Sequence, residues 1–223
     1  MTPVERGLLP AAGKERPARP TVVALDIDGV LRVPWDPQLA RIWPKLFKKT
    51  ITMTKEHFPA AHHQPPPWDQ DGRWTAVHGF SGVGVEWVRS LVKREDVIVV
   101  WASTWAEHAN RYFSPVLGLP DLPVATAGPQ RPYEQSFVWK ARQLAAAFPS
   151  CPLLWIDDNP PPLFAGLEMY RDPRDRALTR THLVETPVLG ITESDVSSLD
   201  RWVERVSTIE GRRSLRSDWR KRR

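Results

Sequence analysis

Five short runs along the chain favour strands, and the stretches between them carry apolar residues at helical spacing. The runs cover 21–26, 97–102, 122–126, 152–157 and 181–185. The first, second and fourth are almost unbroken in Val, Ile, Leu, Ala and Trp, as expected of strands covered on both faces. Apolar positions recurring at three- and four-residue intervals predict helices over roughly 82–94, 105–113, 133–148, 161–168 and 193–208. In 133–148 the stripe is Phe137, Val138, Ala141, Leu144, Ala145 and Phe148, with Lys140 just beyond one edge of it. Strands alternating with helices predict an α/β fold, a parallel sheet with helices on both faces.

Residues 33–80 break this alternation. They carry Pro34, Pro37, Pro44, Pro59 and Pro65-Pro66-Pro67, with Trp35, Trp43, Trp68 and Trp74. Prolines at that density are expected to exclude long regular elements, and the tryptophans need a surface to pack on. One catalytic domain over 21–210 with this insertion is therefore expected, preceded by a flexible arm at 1–20 and followed by a basic tail at 211–223.

Composition narrows the setting. With 223 residues, 41% of them hydrophobic, the chain can bury a full core. The single cysteine, Cys151, excludes an internal disulfide framework and fits a reducing compartment. Preceding Pro152 at a strand start, it reads as a buried structural residue. No apolar run approaches the roughly 18 residues of a membrane span, and Gly7-Leu8-Leu9-Pro10 is too short for a signal peptide. A cytoplasmic protein without membrane partners is expected. The net charge of +5 is unevenly placed: 211–223 holds seven Arg and Lys against Asp218, a net +6, leaving −1 for the remainder. Such a segment suits contact with nucleic acid or another polyanion, and equally suits a solvated end.

Candidate chemistry sits at the strand ends. The first run delivers Asp26 and Asp28, followed by Gly29. Two carboxylates one residue apart suit a hard divalent cation and a phosphoryl group, although Asp-x-Asp-Gly also opens turns and calcium loops. An EF-hand is disfavoured, because Val30, Leu31, Val33 and Pro34 follow where more oxygen donors would be needed. The second run ends in Ser103 and Thr104, the fourth in Asp157 and Asp158. Taken singly, Ser103 or Thr104 could cap a helix, Lys140 could be a solvated charge, and Asp157-Asp158-Asn159-Pro160 could be a turn. Together they share the carboxyl edge of a parallel sheet, where ligands bind.

In order and spacing these motifs resemble the haloacid dehalogenase (HAD) superfamily, most of whose members are phosphatases. The resemblance covers roughly residues 21–190. It implies a Rossmann-like sheet of strand order 5-4-1-2-3, with 33–80 as a flap and small Pro/Trp-rich cap. It also implies Mg2+ as cofactor, Asp26 as nucleophile and Asp28 as general acid and base. Ser103 or Thr104 would hold the phosphoryl oxygens, Lys140 would offset their charge, and Gly29 would join these three in binding substrate. Asp26, Asp28, Asp157 and Asp158 would form the metal site. The gap between the second and third motifs is too short for a large second cap, so an open site suited to bulky substrates is expected. His62, His63, Arg73 and His78 are candidate cap contacts.

Trp101-Ala102-Ser103-Thr104-Trp105, His108-Ala109-Asn110, Leu117-Gly118-Leu119-Pro120 and Trp155-Ile156-Asp157-Asp158 look like the HAD domains associated with bacterial RNA repair proteins. This likeness implies hydrolysis of a phosphate monoester at an RNA or DNA end. A phosphatase of small phosphometabolites or nucleotides, and a non-catalytic nucleic-acid-binding module on the same scaffold, are the alternatives.

Overall fold

The computed structural model describes residues 19–132, 134–159 and 166–221. The expected arm at 1–20 therefore lies almost wholly outside the described residues, as does most of the expected helix at 161–168; its described end, 166–168, runs into the 3-10 turn Leu167–Tyr170.

In chain order the elements are β1 (Thr21–Leu25), β2 (Arg32–Val33), α1 (Pro37–Ile42), β3 (Leu46–Thr54), β4 (Arg73–Ser81), α2 (Gly82–Leu91) and β5 (Val97–Trp101). There follow α3 (His108–Tyr112), α4 (Ser114–Leu117), α5 (Ser136–Ala147), β6 (Leu153–Asp157), β7 (Thr179–Leu183), α6 (Glu193–Ser207) and α7 (Ile209–Lys221). The main sheet is parallel, in the order β5-β1-β6-β7. Alternating side chains of β1 feed opposite faces. Val23 and Leu25 join a core with Trp87, Val88, Trp101 and Trp202. Val22 and Ala24 join a second with Trp155, Ala141, Leu144 and Phe148. A sheet covered on both sides produces the unbroken apolar runs.

Two expectations about the main sheet are corrected. The run 122–126 is not a strand. Pro123 has no N–H to donate, and the segment contributes one parallel bridge, Val124 to Trp101. Its hydrogen bonds run from the Trp101 amide to the Pro123 carbonyl and from the Ala125 amide to the Trp101 carbonyl, both 2.8 Å. The last strand occupies 179–183, two residues earlier than expected, because its register is set by pairing to β6, Leu153 with Thr179.

The insertion also differs from expectation. β3 and β4, nine residues each, pair antiparallel along their whole length, and β2 adds to β4 to make a three-stranded sheet. Every proline of the segment falls outside 45–58 and 68–81, so the ladders lose no donor. Ile51 and Met53 point inward and are fully packed. Tyr112 of α3 ties the sheet to the main body: its hydroxyl accepts from the Thr54 amide and donates to the His57 carbonyl, each at 3.2 Å.

The basic segment is likewise structured. Residues 211–221 continue α7, which lies against α6 and against the 3-10 turn Arg176–Leu178. Among the described residues no helix is long and apolar enough to cross a membrane.

Candidate active site

β1 and β6 are neighbours, so their last residues arrive side by side at one edge of the sheet. Asp26 follows β1 and Asp157 ends β6, both buried. Lys140, on α5, reaches over that edge: Nζ donates to Asp26 Oδ2 at 2.7 Å and to Asp157 Oδ2 at 2.8 Å. Burial opposes the ammonium charge, but Asp26 and Asp157 outweigh it and hold Lys140 above its ordinary pKa. Asp157 is raised by burial and by the charge of Asp26, partly offset by Lys140. Backbone amides fix the remaining oxygens: Ile27 N donates to Asp26 Oδ1 (2.8 Å) and Asn159 N to Asp157 Oδ1 (2.9 Å).

Asp158 is half-buried, and its pKa is raised by burial and then by Asp26. One oxygen each from Asp26, Asp157 and Asp158 lies within 4.8 Å of the others. Gly29 makes that convergence possible. Its φ of +68° suits glycine, and a Cβ there would stand 2.2 Å from Asp158 Oδ2.

Asp28 is placed differently. Its Oδ1 accepts from Arg32 Nε in a short ion pair, and its Oδ2 accepts from the Trp105 indole at 2.9 Å. Its carboxylate is not among the three that converge. Arg32 lies over the Trp105 and Phe113 rings, 5.1 and 5.6 Å from their centroids. Ser103 is fully buried beneath the site, its hydroxyl accepting from the Trp105 amide at 3.3 Å. Thr104 is partly exposed and stands 3.0 Å from His63 Nε2.

The insertion supplies the rest of the wall. His63 stacks on Trp105 with centroids 4.2 Å apart, and His62 on Trp139 at 5.1 Å. Burial lowers the His63 pKa, against the pull of Asp28. Arg73 stands at the far end of β4, outside this group. Asp28, Gly29, Arg32, Trp35, His78 and Asp158 line a cleft of about 370 Å³ between the two sheets. Arg32 is a site residue that sequence reasoning does not single out, and Trp105 enters there only as the last residue of the motif Trp101-Ala102-Ser103-Thr104-Trp105. For Arg32 the only local signal is its position four residues after Asp28.

His78 is buried, with Nδ1 3.4 Å from Arg32 Nη1 and no partner for Nε2 among the described residues. Burial, then Arg32, lowers its pKa from 6.5 to about 4. The folded state therefore binds fewer protons than the unfolded state between these values, so the contribution of His78 to stability is complete above pH 6.5 and is lost as pH falls toward 4. Relative to His78→Gln, the wild-type protein is expected to lose up to about 3 kcal/mol across that window. Urea denaturation of both proteins at stepped pH measures it, and parallel curves would remove His78 as the cause.

A carboxylate at the end of the first strand, a buried lysine bridging it to the acidic end of a neighbouring strand, and an inserted antiparallel sheet packed beside that edge define a domain of the haloacid dehalogenase superfamily. The family model for the HAD domain in Swiss Army Knife RNA repair proteins matches residues 22–196, and the chain belongs to that family. Membership supports hydrolase chemistry of the phosphatase type. No curated protein and no solved structure matches the chain.

Proposed function

We propose that the protein is a magnesium-dependent phosphatase that hydrolyses a phosphate monoester through an aspartyl-phosphate, acting at a nucleic-acid end. The observation that carries this reading is Lys140 Nζ bridging Asp26 and Asp157 at the sheet edge, beside Asp158. Three carboxylates offset by one ammonium leave net negative charge where an anionic substrate must come. That donor set, all hard oxygen, fits a magnesium ion held by Asp26, Asp157 and Asp158. When bound, the ion neutralises the phosphoryl oxygens and so permits an anionic nucleophile to approach.

Asp26 attacks phosphorus and the ester P–O bond breaks. The leaving oxygen takes a proton from Asp28, and in the second step Asp28 accepts a proton from the water that releases phosphate. Both Asp28 oxygens already accept hydrogen bonds, so this work requires Arg32 to move to another anion, and a substrate phosphate in the shared cleft supplies one. Thr104 or Ser103 and Lys140 hold the transferring oxygens. Trp35, Val77 and Val188, which line the same cleft, offer apolar and aromatic surface suited to a nucleoside. Together with the RNA-repair family this favours a polynucleotide end as substrate.

Phosphorylated oligonucleotides should be turned over in preference to mononucleotides and small phosphometabolites, and the reverse order would overturn the substrate assignment. Excess chelator is expected to abolish hydrolysis of an aryl phosphate and magnesium to restore it. Calcium should substitute poorly, because its larger and looser coordination misplaces the nucleophile. Full activity in chelator, with no metal by elemental analysis, would end the metal assignment.

A further inference from the structure

α7 is attached to the opposite end of the main sheet from the carboxylates. Arg212 donates from Nη2 to the carbonyl of Arg19, just before β1, at 2.8 Å, and from Nε to the Val206 carbonyl at 2.5 Å. Leu215 packs on the core, and Asp218 pairs with Arg205 at 2.6 Å. The 3-10 turn that α7 covers leads into the amino end of β7. In a parallel sheet those amino ends face away from Asp26 and Asp157.

With 212, 215 and 218 used as anchors, a second stripe of the helix is left outward. Arg213, Arg216 and Arg220 are exposed, at spacings of three and four residues that put them on one face. Their guanidinium groups have no acidic partner among the described residues. Arg216 and Arg220, with Arg174 from the loop before β7, border a cleft of about 440 Å³ whose other walls are Pro173, Ala177 and Trp219. This cleft is larger than the one beside Asp28. A helix macrodipole accounts for cations in the last turn, Arg220 and Lys221, but not for Arg213 and Arg216 farther back.

We infer that this face is a second binding site, for the phosphate backbone of single-stranded nucleic acid, separate from the catalytic edge. Like charges aligned with no acidic partner among the described residues repel one another, and a polyanion removes that repulsion while releasing its own counterions. From Arg213 to Arg220 the helix rises roughly 10 Å, a length that matches two or three phosphates. A lipid surface fits less well. Ser214 and Ser217 lie among the exposed arginines, where an interfacial helix would present apolar residues.

The test uses full-length protein and a fluorescein-labelled oligouridylate, with anisotropy read across a salt series in excess chelator. The triple variant Arg213→Gln, Arg216→Gln, Arg220→Gln keeps good helix formers in place. It is expected to bind at least about ten-fold more weakly at low salt, with the log–log salt slope flattened by roughly 2, about 0.7 for each phosphate that is no longer neutralised. Its hydrolysis of p-nitrophenyl phosphate should equal that of the wild type. Asp26→Asn protein should bind the oligonucleotide as the wild type does, so the result is independent of catalysis. Unchanged affinity and slope in the triple variant would overturn the inference, as would loss of binding in Asp26→Asn, or capture of anionic vesicles with no binding of the oligonucleotide. If circular dichroism shows the triple variant misfolded, Arg174→Gln with Arg216→Gln is judged by the same criteria.

Discussion

Asp26→Asn protein should fold like the wild type and lose turnover of an aryl phosphate by about four orders of magnitude or more, the scale seen when a nucleophile is deleted. Asparagine has the shape of aspartate, so the Ile27 amide keeps its acceptor. The second oxygen becomes an amide nitrogen facing the Lys140 ammonium, and one charge-assisted hydrogen bond disappears. Lys140 still has Asp157 at 2.8 Å, which leaves a balanced buried pair. The stability loss should therefore stay near 1–3 kcal/mol, about the cost of one such bond. Steady-state kinetics and a thermal melt on the same preparation separate the two effects. Wild-type turnover in folded Asp26→Asn protein would take the nucleophile's role away from Asp26.

Asp26, Asp157 and Asp158 are legible in the sequence because they terminate apolar runs. A run long enough to cross a core and buried on both faces must end near the sheet edge, and the next polar residue emerges there. Apart from the family resemblance, Lys140 is visible only as a residue off the apolar stripe of its helix. That position has two outcomes, solvent or a buried counter-charge, and two carboxylates at bonding distance decide it. No local pattern contains that information. The same holds for the setting of Asp28, whose partner Trp105 stands 77 residues away in the chain.

The insertion at 33–80 departs from expectation for a different reason. Proline density averaged over 33–80 hides where each proline falls, and strand formation depends on that placement. The two proline-free windows hold complete nine-residue strands, and the prolines occupy the turns and flanks that need no donor. At 122–126 the reverse applies, since one proline inside an apolar run reduces an expected strand to a single bridge. Net charge indicates a basic carboxyl end but not its location. A cationic helix at the amino ends of the strands stands away from the carboxylates at their carboxyl ends. The basic segment therefore bears on the proposed nucleophile and metal ligands in no direct way.

Lys140→Met should destabilise the protein by about 3–5 kcal/mol at pH 8, the range for removing one partner of a buried ion pair. Methionine preserves most of the volume, so the loss reports charge and not a cavity. Without the ammonium, the Asp26 and Asp157 carboxylates that now accept from a single nitrogen face each other across a buried space. Their mutual repulsion favours protonation, so Asp157, already raised in the wild type by burial and Asp26, should rise further. The folded variant then binds more protons than the unfolded chain, so its stability falls with increasing pH above the ordinary carboxylate range. The deficit against wild type should be small near pH 5 and full at pH 8. A divalent cation held by Asp26, Asp157 and Asp158 offsets the same repulsion, so magnesium should raise the melting temperature of Lys140→Met by more than that of the wild type. Denaturation curves at the two pH values, with and without magnesium, provide the measurement. A deficit that is the same at both and indifferent to magnesium would mean that Lys140 contributes through packing, and that the carboxylate cluster is not the charge centre on which the proposed chemistry depends.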